Sequence, residues 1–121
     1  MRIVEYVNVA AICGLLLFTS NSVIAAQLLM VEQSNCPYCE KFISEVGPIY
    51  PKTTEGKLAP LVKVDLSEPL EDQYQLLEPV IFTPTFILID DGVEIDRLVG
   101  YQGDDFFWFL LGDMLEKLND E

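Results

Sequence analysis

The sequence predicts an α/β fold, a central four-stranded mixed sheet flanked by helices, in the order β-α-β-α-β-β-α. Three observations carry this. Short apolar runs suited to buried strands alternate with stretches whose apolar residues recur at helical spacing. A helix separates the first two strands, so they run parallel. The turn signal Asp90-Asp91-Gly92 lies between the last two strands, so they form an antiparallel hairpin.

Taken in order, Leu28-Leu29-Met30-Val31 is a continuous apolar run, suited to a strand buried on both faces. Ser34-Asn35 breaks it. Pro37 fits a first helical turn, where its missing N–H would have no partner anyway. Cys39, Phe42, Ile43, Val46 and Ile49 then follow helical spacing until Gly47-Pro48 bends or ends the helix. Lys52 to Ala59 reads as a polar loop, and Leu61 to Leu66 as the second strand. Glu71 to Glu78 reads as a short helix stopped by Pro79. Thr85 to Ile89 is β-branched and aromatic, the third strand. Val93 to Val99 alternates, with Val93, Ile95 and Leu98 facing in and Glu94, Asp96 and Arg97 polar. Asp104 or Asp105 can cap a last helix, whose apolar face is Phe107, Leu110, Leu111, Met114 and Leu118.

Residues 1–26 read as a cleavable signal peptide, and 27–121 as one small domain. An n-region with Arg2 precedes the apolar stretch Val7 to Phe18, and Val23-Ile24-Ala25-Ala26 offers small residues for cleavage. Cleavage after Ala25 is preferred over Ala26, because Val23 then stands at −3. The apolar stretch is shorter than the roughly 20 residues of a bilayer span, which disfavours an uncleaved anchor. The formal net charge of −13 disfavours nucleic acid and anionic membrane surfaces as partners. The sequence has no histidine, which removes Ser-His-Asp and Cys-His catalysis and histidine metal ligation. Export places the chain where disulfides persist, so periplasmic localisation is expected.

After processing only Cys36 and Cys39 remain. A cysteine at a helix N-terminus sits beside free backbone N–H groups and the positive dipole end, which favour its thiolate. Cys39 lies one turn inside. Cys36 is therefore expected to attack a partner disulfide, and Cys39 to resolve the mixed disulfide. Zinc needs about four ligands, and two thiols do not supply them. A purely structural bridge is the other alternative, but so short a loop removes little chain entropy. Pro84 interrupts an apolar run, which argues against a central strand position. A cis Thr83–Pro84 bond at the strand start resolves that conflict and leaves the Thr83 backbone free for an extended substrate. A trans proline that merely delays the strand is the alternative.

These residues resemble the thioredoxin superfamily. Cys36-Pro37-Tyr38-Cys39 is similar to its dithiol, Phe82-Thr83-Pro84-Thr85-Phe86 to its cis-proline loop, and Arg97-Leu98-Val99-Gly100-Tyr101 to its glycine-containing third loop. The resemblance implies Cys36 as nucleophile, Cys39 as resolving thiol, and Pro37 and Tyr38 between them. It implies Thr83, Pro84, Gly100 and Tyr101 at the substrate, and no cofactor beyond a redox-active Cys36–Cys39 disulfide. Val46 to Thr53 and Gly100 to Trp108 further resemble the small periplasmic thioredoxins of bacterial sulfur-oxidation (Sox) operons. That likeness implies a monomeric reductase of a protein disulfide or modified cysteine, with a Sox sulfur carrier as partner and a membrane thiol-electron transporter as donor. The chain departs from ordinary thioredoxin in three ways. Asn35 stands where Trp precedes the first cysteine. Met30 stands near the place of the buried Asp, with Glu32 two residues on along the same strand face. Pro37-Tyr38 is the glutaredoxin dipeptide. The alternatives are glutathione-dependent exchange, for which Lys41 is the nearby cation, an oxidase, and a redox-sensing binding module.

Overall fold

The computed structural model describes residues 26–119 and Gly14, so the expected signal peptide lies, but for Gly14 and Ala26, outside the described residues. Strand β1 (Ala26–Glu32) sits inside a four-stranded sheet of order β2-β1-β3-β4. It pairs in parallel with β2 (Leu61–Asp65) and antiparallel with β3 (Thr85–Asp90). β4 (Val93–Val99) pairs antiparallel with β3 across the Asp91-Gly92 turn, whose φ values of 52° and 82° suit a tight hairpin. Leu28, Leu29, Met30 and Val31 are all fully buried. The continuous apolar run is thus explained by cover on both faces.

Two helices close one face: α1 (Pro37–Glu45), and the later helix whose residues Asp104–Glu116 pack alongside it. Their contact is aromatic. The Phe42 ring lies 4.6 Å from Phe86 and 4.9 Å from Phe107, with tilted or edge geometry. Between α1 and β2 the sequence predicts a loop, but a one-turn 3-10 helix (Tyr50–Lys52) and helix α2 (Thr54–Leu58) stand there. Thr53 caps α2 by accepting from the Gly56 N–H at 2.9 Å, and its hydroxyl donates to the Tyr50 carbonyl at 2.7 Å. Gly56 is required, since a Cβ there would lie 1.9 Å from the Tyr50 carbonyl oxygen. The Tyr50 hydroxyl is buried and donates to the Ala59 carbonyl at 2.7 Å. The helix from Asp104, α3, starts without a side-chain cap: Gly103 is its N-cap, and the Asp104 carboxylate accepts from the Asp105 N–H instead.

The other face is closed differently. A helix is expected over Glu71 to Glu78, but only a 3-10 turn forms, Leu70–Asp72, followed by chain without helix. Leu70, Tyr74, Leu76 and Val80 cover Leu29, Val31, Ile87 and Ile89. Gln75 bridges the edge of β4: its N–H donates to the Gly92 carbonyl, and its carbonyl accepts from the Glu94 N–H. Glu94 and Arg97, expected as outward polar residues, hold this segment down. A register shift at Leu88/Ile89 puts Glu94 opposite Ile89 and buries it, while Val93 is exposed. The Glu94 carboxylate accepts from the Leu77 N–H and from Arg97 Nε and Nη2. Arg97 also donates to the carbonyls of Glu78 and Pro79. A buried carboxylate is tolerable only when so fully paired.

Candidate active site: a dithiol at a helix N-terminus

Asn35 has a left-handed φ of 61°, a conformation Asn tolerates, and it turns the chain from β1 into α1. Cys36 is the N-cap, and its Sγ accepts from the Cys39 N–H at 3.2 Å. Pro37 follows as the first helical residue. Cys36 and Cys39 are joined by a disulfide with Cα atoms 5.2 Å apart. A chain with this bond stores two electrons' worth of oxidising equivalents at one helix end.

Both cysteines are mostly buried, within the core face that also holds Met30. The Thr83 hydroxyl donates to Cys36 Sγ at 3.4 Å. On reduction, Cys36 is thus the sulfur with a backbone N–H, a hydroxyl and a helix dipole directed at it. Each favours the thiolate. Glu94 is the one buried acid among the described residues, and it is committed to Arg97 on the opposite face. Among the described residues, the core around the thiols therefore holds no buried carboxylate, and Met30 is fully buried there.

The Thr83–Pro84 peptide bond is cis. The Pro84 carbonyl accepts from the Gly100 N–H at 2.7 Å, which ties the proline loop to the loop after β4. Tyr38, Thr83, Pro84, Gly100 and Tyr101 line one open groove, together with Lys41 and Gln102. The structure thus brings together all the sequence-predicted substrate residues. Pro37 is exposed and lies outside the groove lining. Tyr38, between the two cysteines, and Phe82, next to Thr83 in the cis-proline loop, are 60% and 67% exposed, apolar side chains suited to contact with a protein chain.

Sequence reasoning missed Gln102 and Glu45. The Tyr101 hydroxyl donates to Glu45 Oε1 at 2.6 Å. Burial and the Glu45 carboxylate both push the Tyr101 phenol pKa up, so it stays a protonated donor. The one available signal was helical: Tyr38, Lys41 and Glu45 follow i, i+3, i+7 on one face of α1. Among the described residues, no group of three or more His, Cys, Asp or Glu side chains is placed to hold a metal ion. No described helix is long and apolar enough to cross a membrane.

A thioredoxin-like domain model matches residues 21–115. Among solved structures, the chain is similar to the periplasmic thioredoxin SoxS from Paracoccus pantotrophus, with 43% identity and a TM-score of 0.75 over 77% of this chain and 98% of that one. It shares the fold of a Malassezia sympodialis thioredoxin, at 20% identity and a TM-score of 0.55 over 74% of this chain and 75% of that one. A variant thioredoxin from Halobacterium salinarum gives 24% and 0.56 over 74% of each chain. No curated protein gives a match. With the domain matched over most of its length and a disulfide at the helix start, this chain belongs to the thioredoxin-like family and is an oxidoreductase of that fold.

Proposed function

We propose that the chain is exported to the periplasm and reduces a disulfide or modified cysteine on a protein partner. The observation that carries this is the Cys36–Cys39 disulfide at the N-terminus of α1, whose Cys36 Sγ accepts from the Thr83 hydroxyl beside the groove that Thr83 and Pro84 line. In the reduced chain the Cys36 thiolate attacks one sulfur of the partner disulfide. The Cys36–partner bond forms, the partner's sulfur–sulfur bond breaks, and the departing thiolate takes a proton from water. The Cys39 thiolate then attacks Cys36 Sγ, which releases the second partner thiolate and forms the Cys36–Cys39 bond. Two electrons pass to the partner. A membrane thiol-electron transporter returns two electrons to the pair.

The likeness to a periplasmic thioredoxin supports export, with residues 1–26 as the signal peptide and the folded domain beginning at about the start of β1. The sequence resemblance supports a sulfur-oxidation carrier protein as the partner. The test is a Cys39→Ser variant produced in the periplasm. It should hold one predominant partner through Cys36 in a reductant-sensitive complex. Recovery of many unrelated secreted proteins would overturn the dedicated partner, and recovery of none would overturn the reductase.

A second reading, glutathione-dependent exchange, is favoured by the place of Lys41 on the groove, where it could pair a glutathione carboxylate. Rapid turnover of glutathione mixed disulfides by Cys39→Ser would establish it in place of the first.

A further inference from the structure

We infer that Glu45 is a positioning residue for the substrate groove, acting through Tyr101. This rests on the groove being the substrate site proposed above. The loop Gly100–Gly103 has a left-handed glycine at each end, with φ of +87° and +107°, so it is soft on both sides of Tyr101. That loop forms one wall of the groove, and Gly100 is bonded to the Pro84 carbonyl on another. A soft wall cannot keep an extended partner strand in register with the thiols unless something fixes it.

The Tyr101 side chain supplies the fixing point. Its ring is 5% exposed and meets Phe42 of α1 edge-on at 5.5 Å, one turn beyond Cys39. A phenylalanine would pack as well. What the hydroxyl adds is the 2.6 Å bond to Glu45. Glu45 in turn has no local reason for its place. It ends α1, where a carboxylate meets the negative end of the helix dipole. Lys41, four residues earlier, makes no ion pair with it. The carboxylate is accounted for by the tyrosine 56 residues away in sequence. One helix thus carries the thiols at its start and the anchor of the groove wall at its end.

The test uses Tyr101→Phe, Glu45→Ala, Glu45→Gln and the double variant Glu45→Ala/Tyr101→Phe. Insulin disulfide is the protein substrate, and 2-hydroxyethyl disulfide is a probe too small to need the wall. Tyr101→Phe and Glu45→Ala should each raise KM for insulin about 3–10-fold, the worth of one such hydrogen bond. In Glu45→Ala, whose side chain is not part of the groove lining, turnover number, the rate with 2-hydroxyethyl disulfide and the pH profile of Cys36 alkylation should stay unchanged. Glu45→Gln keeps an acceptor oxygen and should restore KM, and the double variant should match either single one. Amide exchange at Gly100, read by NMR, should quicken in Tyr101→Phe and Glu45→Ala alone. An unaltered insulin KM, a parallel fall with the small disulfide, or multiplying effects in the double variant would overturn the inference. If the unmodified protein fails to reduce insulin, the proposed function falls; unchanged Gly100 exchange would then overturn the tether, and quickened exchange would sustain it.

Discussion

The two faces of the sheet are closed by different means. Over one, α1 and α3 meet through Phe42, Phe86 and Phe107, and the thiols sit at the edge of that aromatic cluster. Over the other, a segment with a single 3-10 turn is held by Glu94, Arg97 and Gln75. The first face depends on close packing, which fixes atoms to fractions of an ångström. The second depends on a few polar bonds, which leave the backbone free to be irregular provided each group is paired. Redox chemistry is on the packed face, where the helix that aims the thiols cannot tilt without disturbing three rings.

Single substitutions separate the two designs. Phe42→Ala should have the largest effect, a loss of about 4 kcal/mol in denaturant unfolding, with reduced activity because α1 loses its seat. Arg97→Met comes next, at about 3 kcal/mol, since it strands the buried Glu94 carboxylate. Pairing it with Glu94→Leu should recover much of that loss, a rescue that packing defects do not allow. Hydrogen exchange should show residues 75–80 opening in Arg97→Met and the sheet staying closed. A loss in Arg97→Met as small as that of an exposed residue would mean that apolar contacts alone hold the segment.

This contrast also marks what could be read from the sequence. Apolar period and turn chemistry report packing, so β1, β3, the hairpin, α1 and α3 were legible. The Cys36 loop was legible from residue type and spacing, whereas residue type left Pro84 open between cis and trans, and the family resemblance pointed to cis. Polar bonding between distant residues leaves no such trace. Leu70 to Glu78 carries apolar residues and a terminal Pro79 that look helical, yet Glu94 and Arg97 take up its backbone groups and remove the need for a helix. The register shift that turns Glu94 inward lies in the backbone, while the Val93/Ile95 alternation points it outward. Helix α2 is too short and polar for periodicity, and exists through the Thr53 cap and the Gly56 contact. Glu45 is hidden because its partner Tyr101 is 56 residues away; only its place on the Tyr38 and Lys41 face of α1 marks it.

Smaller effects sharpen the comparison further. Thr83→Val removes the hydroxyl beside Cys36 Sγ, so the Cys36 thiol pKa in the reduced protein should rise. Thiolate absorbance against pH would show it, and unfolding should hardly change. The smallest effect lies at the far edge. Hydrogen bonds from the Ser67 hydroxyl and N–H hold the exposed Asp65 carboxyl below its usual pKa. A depressed folded-state pKa stabilises the protein above the unfolded value of about 3.9 and is lost as pH falls through the folded one. Asp65→Asn should therefore lower stability slightly at neutral pH, converge with the parent protein once the pH falls below the folded-state pKa, and leave redox activity alone.

The central claim is that the two cysteines are unequal because of where α1 begins. Limited alkylation of the reduced protein with iodoacetamide, followed by peptide mass spectrometry across a pH series, tests it most directly. Label should appear on Cys36 with a pKa below the ~8.5 of a free thiol, while Cys39 stays almost unlabelled. Equal labelling, or Cys39 reacting first, would contradict the account.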